Sequence, residues 1–128
     1  MKKVLIDTNA YSRLLQGDQE ILRILGKAEV VFLSIFVLAE LYTGFKGGFK
    51  EKQNRQWLGE FMAKPSVRIC EATEETAEIF SEIKHRLKKE GNPIPVHDIW
   101  IAAHAIETGA VLISFDQHFS KIAGLRVY

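Results

Sequence analysis

The sequence is poor in the features that mark most specialised classes of protein. Its 128 residues include one cysteine, Cys70, which excludes an intramolecular disulfide and any zinc site built from several thiolates. That usage suits a reducing compartment, so a cytoplasmic location is expected. Proline occurs three times, and there is no internal repeat or low-complexity segment. The longest apolar stretch, Val30 to Ala39, is interrupted by Ser34 and is too short to cross a bilayer. Lys2 and Lys3 precede three apolar residues, but Asp7 ends that run, so no signal peptide is expected. An excess of either charge is also missing: seventeen Lys and Arg against sixteen Asp and Glu leave +1. Bulk electrostatics therefore neither favours nor opposes a nucleic-acid partner, and any basic surface must be local. No Gly-rich phosphate loop and no Ser or Cys nucleophile beside a His-Asp pair stands out.

What remains is an ordinary globular composition, 47% hydrophobic and 26% charged, at a length expected for one domain spanning residues 1–128. Val4-Leu5-Ile6, Val30 to Leu33 and Val111 to Ser114 read as buried strands. Val67, Ile69 and Cys70 suggest an edge strand, and Leu125 to Tyr128 a last one. Between them fall helical segments. One is capped by Asp18 and runs through Ile21, Leu22 and Leu25 with Gly26 past its end, and one runs from Ile35 to Phe45 behind Ser34. The third spans Phe49 to Lys64, the fourth runs from Thr73 to Gly91, and the fifth covers His97 to Thr108. Strands alternating with helices predict an α/β fold, a mainly parallel sheet flanked by helices on both faces.

The informative residues are acids set within apolar segments. Asp7 closes the first strand and Asp116 follows Val111 to Ser114, and in open parallel sheets ligands gather at such carboxyl ends. Glu40 lies in mid-helix with no Lys or Arg within a turn, and Asp98 shares a helical face with Ile101, Ala102, Ala105 and Ile106. Each also has a plain structural explanation. Asp7 can cap a helix, Glu40 can face water, Asp98 can serve as a first-turn acid, and Asp116 can be a turn residue. Taken together they predict a carboxylate cluster at one sheet edge, and such a cluster needs a cation. A hard divalent ion, Mg²⁺ or Mn²⁺, is the expected partner, one able to activate water and stabilise phosphoryl charge. The four histidines form no zinc signature and read as surface or packing residues, with His118 of interest for following Asp116 by two positions.

Four blocks then resemble the PIN-domain family: Leu5-Ile6-Asp7-Thr8-Asn9, Leu38-Ala39-Glu40-Leu41-Tyr42-Thr43-Gly44, Ile94 to Ala103 around His97-Asp98, and Leu112-Ile113-Ser114-Phe115-Asp116-Gln117-His118-Phe119. They are most similar to the VapC-type ribonuclease toxins of toxin–antitoxin pairs. The resemblance implies a three-layer PIN-like fold, Mg²⁺ or Mn²⁺, and endonucleolytic cleavage of RNA. It places Asp7, Glu40, Asp98 and Asp116 in the catalytic, metal-binding quartet and Thr8, Asn9 and Ser114 at auxiliary polar positions. Some relatives carry a further acid shortly after the fourth, and here His118 stands in that neighbourhood. The resemblance also implies a homodimer and a cognate antitoxin whose tail enters a groove near the acids, the toxin–antitoxin complex reaching operator DNA through the antitoxin. A housekeeping RNA-processing nuclease and a metal-free binding module are the competing readings.

Two further expectations come from the residues themselves. Arg13, Lys46, Lys50 and Lys52, with Arg55, are positioned in sequence to contact RNA phosphates near the acids. Phe36, Leu41, Tyr42, Phe45, Phe49 and Trp57 concentrate large apolar side chains in one segment, which predicts an exposed patch for a protein partner.

Overall fold

The computed structural model describes all residues, 1–128. Its chain alternates strand and helix. The order is β1 (Lys3–Ile6), α1 (Thr8–Leu15), α2 (Gln19–Lys27), β2 (Val30–Ser34), α3 (Ile35–Lys46), α4 (Glu51–Met62), β3 (Val67–Cys70), α5 (Glu74–Glu90), α6 (Val96–Thr108) and β4 (Val111–Ile113), followed by a 3₁₀ turn at Gln117–Lys121. The four strands form one sheet in the order β3-β2-β1-β4, and every pairing is parallel. Val4, Leu5 and Ile6 are all fully buried, which in a pleated strand requires cover on both faces. The result is the expected helix–sheet–helix arrangement.

Strand order carries the functional consequence. From β1 the chain moves outward through β2 and β3, then returns to place β4 on the other side of β1. The carboxyl ends of β1 and β4 therefore flank a topological switch point, where an open α/β sheet leaves a crevice. Val4 pairs with Val111, Leu5 with Leu112 and Ile6 with Ile113, so Asp7 and Ser114 emerge side by side. The Asp7 N–H extends the ladder by donating to Ile113 O at 3.2 Å.

Helix ends follow the sequence closely where caps are strong. Ser34 Oγ accepts from Phe36 N–H at the start of α3, Thr73 and Thr76 form a capping box at α5, and Gly91 and Gly109 take left-handed conformations past α5 and α6, as glycine does at this position. Where caps are weak the boundaries move. The third predicted helix starts at Glu51 rather than Phe49, with no side-chain cap at Lys50, and Phe49 is fully exposed instead of buried. Leu125 to Tyr128 forms no strand beyond a single bridge from Val127 to Leu112. At the β3 edge Val67 and Cys70 are buried while Ile69 is left exposed. Gly26 does not end its helix, which continues to Lys27.

The predicted apolar patch divides. Leu41 and Phe45 belong to the core. Phe36 is half-buried and stacks on Trp100 with centroids 4.9 Å apart, and Trp100 stacks on Phe80 at 4.0 Å. Tyr42 packs half-buried against the core, and of the six only Phe49 and Trp57 are exposed. An amphipathic core position suits aromatics better than water does, which is why a run that looked like surface mostly turned inward.

One polar contact is locked inside this packing. His104, 1% exposed, lies 3.1 Å from Glu71 O through Nε2 and 2.8 Å from Ser34 Oγ through Nδ1. A carbonyl only accepts, so Nε2 carries the proton and Nδ1 accepts from the Ser34 hydroxyl. Burial pushes the His104 pKa below its ordinary 6.5, opposed by the Glu71 carbonyl and the Glu107 charge. Below 6.5 the unfolded chain takes up a proton that the folded chain refuses, so stability falls with pH, by up to about 1.4 kcal/mol per unit. Thermal midpoints measured across this range should show that loss, and His104→Gln should flatten it. Gly26→Ala should raise stability by about 0.5–1 kcal/mol, since Gly26 is helical and an added Cβ meets nothing within 4 Å. Chemical denaturation reads this directly.

Candidate metal centre

Asp7 stands at the carboxyl end of β1 and is 5% exposed. Its two oxygens have separate tasks. Oδ1 accepts from Ala10 N–H at 2.8 Å and caps α1, while Oδ2 accepts from the Ser114 hydroxyl at 2.5 Å. The capping role and the site role thus belong to one side chain. Ser114 Oγ in turn accepts from Asp116 N–H at 3.0 Å, and Asp116 Oδ1 accepts from His118 N–H at 2.9 Å. These bonds fold the segment after β4 across the end of β1.

Asp98 approaches from the first turn of α6, where the helix N-terminus favours a carboxylate. His118 Nδ1–H donates to Asp98 Oδ2 at 3.0 Å, and the same nitrogen lies 3.1 Å from Asp116 Oδ1. Ligand atoms of Asp98, Asp116 and His118 all fall within 4.8 Å of one another, close enough to share one small cation. Asp7 joins them electrostatically. Its pKa is raised, chiefly by burial, against hydrogen bonds from Ser114 and Ala10 that lower it, and the charges of Asp116 and Asp98 raise it further. Acids that destabilise one another's charged forms are relieved by a positive ion among them.

The auxiliary positions fall as follows. Ser114 is buried and links Asp7 to Asp116. Thr8 Oγ1 is buried without a hydrogen-bond partner, a state costing about 1–3 kcal/mol that a water at the site would relieve. Asn9 is exposed at the start of α1. Glu40 lies outside the tight cluster. Its side chain is half-exposed, and its neighbour comes from another helix: His97 Nε2 is 2.8 Å from Glu40 Oε2, in contact but not aligned as a hydrogen bond. His97 adjoins Asp98 in α6, so Glu40 meets that helix one residue before the acid.

Among the basic candidates, Arg13 is the one joined to the acids' surroundings, lining a shallow pocket with Asn9 and Asp116. Lys46 lies 4.0 Å from Glu51. Lys50 and Lys52 are exposed near the start of α4 and pair with no carboxylate of the site. His118, singled out in the sequence for following Asp116, sits against Asp98 and Asp116. His97, read as a surface or packing residue, sits against Glu40, its adjacency to Asp98 being the available signal. His104 is a packing residue.

Comparison with known proteins gives the family and the fold. The model of the PIN domain matches residues 4–125. The chain is 31% identical over 129 aligned positions to Ribonuclease VapC2 of Haemophilus influenzae, covering 98% of this chain and 96% of that protein. It is 30% identical over 105 positions to Ribonuclease VapC2 of Rickettsia felis, covering 81% and 77%. The fold matches the crystal structure of VapBC2 from Rickettsia felis bound to a DNA fragment from their promoter, with a TM-score of 0.86 at 25% identity over 98% of this chain and 97% of that one. VapBC-1 from nontypeable Haemophilus influenzae gives the same TM-score and identity over 98% and 96%. The chain belongs to the PIN-domain family, and within that family it is of the VapC type.

Asp7→Asn should raise the thermal midpoint of the metal-free protein, because it removes a buried charge among like charges while keeping an oxygen for the Ala10 cap. Scanning calorimetry in chelator checks this.

Proposed function

We propose that this protein is the ribonuclease toxin of a toxin–antitoxin pair, a Mg²⁺- or Mn²⁺-dependent endoribonuclease acting in the cytoplasm. The observation that carries the reading is the convergence of Asp7, Asp98 and Asp116 at the β1–β4 switch point of a PIN fold whose curated relatives are ribonucleases. The donor set fits such an ion. Carboxylate oxygens predominate, as Mg²⁺ and Mn²⁺ prefer, Asp7 is destabilised by its acidic neighbours, and Thr8 Oγ1 is an orphaned hydroxyl beside it.

Asp7, Asp98 and Asp116 would hold the ion, with Glu40 outside the tight cluster. When bound, a divalent cation supplies charge stabilisation at a phosphoryl oxygen and lowers the pKa of water. The protein's part is preorganisation. Two hydrogen bonds fix Asp7, Ser114 sets the spacing of Asp7 and Asp116, and His118 orients Asp98 through Oδ2. Groups held this way need no reorganisation as charge develops. Arg13, Lys46, Lys50 and Lys52 supply the local positive charge that a nearly neutral chain needs to engage RNA phosphates.

Partners follow from the same reading. Structural relatives are toxin–antitoxin complexes, one of them on promoter DNA. This chain is proposed to form a homodimer and to bind a cognate antitoxin that brings the complex to operator DNA. An antitoxin Arg entering among the carboxylates would pair with them bidentately and displace the cation.

Mn²⁺ at a hundred times its dissociation constant should stabilise the fold by about 2.7 kcal/mol, read as a thermal shift against chelator, and Asp98→Asn should abolish both that shift and RNA cleavage. Identical midpoints with and without metal would defeat the metal site. Co-expression with the neighbouring small gene product should yield an inactive complex. A monomer that cleaves RNA and binds no such partner would favour the housekeeping reading.

A further inference from the structure

Phe115 has no role in holding the acids together, yet its position is closely determined. Its neighbours Ser114 and Asp116 are both tied into the site by the Ser114 hydroxyl, and Ser114 is buried, while the Phe115 ring is 49% exposed. The Arg13 guanidinium carbon lies 3.9 Å from the centre of that ring. Arg13 forms no ion pair or side-chain hydrogen bond, although Asp116 lines the same pocket, so its donors are unengaged. The pocket wall is completed by Asn9, Ser12 and Gln16, whose side chains likewise make no hydrogen bond. A rigid exposed ring, a stacked guanidinium and three idle polar groups therefore stand beside a carboxylate centre.

We propose that Phe115 and Arg13 form a stacking platform that seats one base of the RNA beside the phosphate at the carboxylates, with Asn9, Ser12 and Gln16 reading its edge. This rests on the ribonuclease reading above. Aromatic rings and Arg planes hold unstacked bases in single-stranded RNA, and amide and hydroxyl groups then read the Watson–Crick edge. The two residues divide the work. Phe115 contributes stacking, which carries no charge and so no dependence on salt. Arg13 adds a cation, so its removal lowers both affinity and salt dependence.

The test uses the full chain in the cleavage-blocked Asp98→Asn background, with a fluorescent single-stranded RNA oligonucleotide of mixed sequence titrated at several salt concentrations. Phe115→Ala should weaken binding about 5- to 160-fold with the salt slope unchanged, and Phe115→Trp should restore it. Arg13→Ala should weaken binding and flatten the slope by about one phosphate contact, whereas Arg13→Lys should keep the slope without recovering full affinity. Sequencing of the bound fraction should show Gln16→Ala relaxing the preference at one base position. If the Asp98→Asn protein binds RNA and Phe115→Ala binds it equally well, the platform is wrong and the ribonuclease reading survives. A Phe115→Ala loss confined to the antitoxin complex would assign the ring to the protein partner and overturn the proposal. If the Asp98→Asn protein and the unmodified chain both fail to bind or cleave RNA, the ribonuclease reading fails first.

Discussion

The hydrogen bond from Ser114 to Asp7 joins two strand ends that are 107 residues apart in sequence, and the rest of the site is arranged around it. It depends on β1 and β4 being paired in register, Ile6 against Ile113, so that the first residues beyond both strands face each other. From Ser114 the network runs on to Asp116 and His118, and through His118 to Asp98. Loss of register by one residue would turn Asp7 and Ser114 to opposite faces, and no local rearrangement could restore the cluster.

That geometry is bought with an electrostatic penalty. Burial and the neighbouring charges of Asp116 and Asp98 all oppose ionisation of Asp7, while the Ala10 and Ser114 hydrogen bonds offset only part of the opposition. A sheet buried on both faces can hold such a group because its helices leave no freedom to relax away from it. Interior packing and site strain are thus two aspects of one constraint. Two histidines border the acids: His118 stands between Asp98 and Asp116, and His97 stands against Glu40.

Around this centre several large side chains remain exposed. Arg13 and Phe115 stand against each other, and Ile35, Phe49 and Trp57 are the large apolar residues of the α3–α4 region left in solvent. A net charge of +1 supplies no overall positive field. Binding of a polyanion must therefore depend on a few well-placed side chains.

Much of this was legible in the residues. Continuous apolar runs such as Val4-Leu5-Ile6 dictate strands covered on both faces, strong caps at Ser34 and Thr73 set helix starts, and Gly91 and Gly109 set helix ends, because these effects act within a few residues. The acids were legible as anomalies, polar groups where apolar neighbours predicted burial. Tertiary structure alone decided which of them meet. Asp7, Asp98 and Asp116 converge because β4 returns beside β1, while Glu40 stays outside the cluster because α3 turns it toward water and His97. The fate of the aromatics was equally non-local: Phe36 went inward against Trp100, itself stacked on Phe80, and Phe49 was left exposed in the turn before α4. A sequence specifies each residue's local preference, but contact between residues distant in the chain is settled by topology and packing.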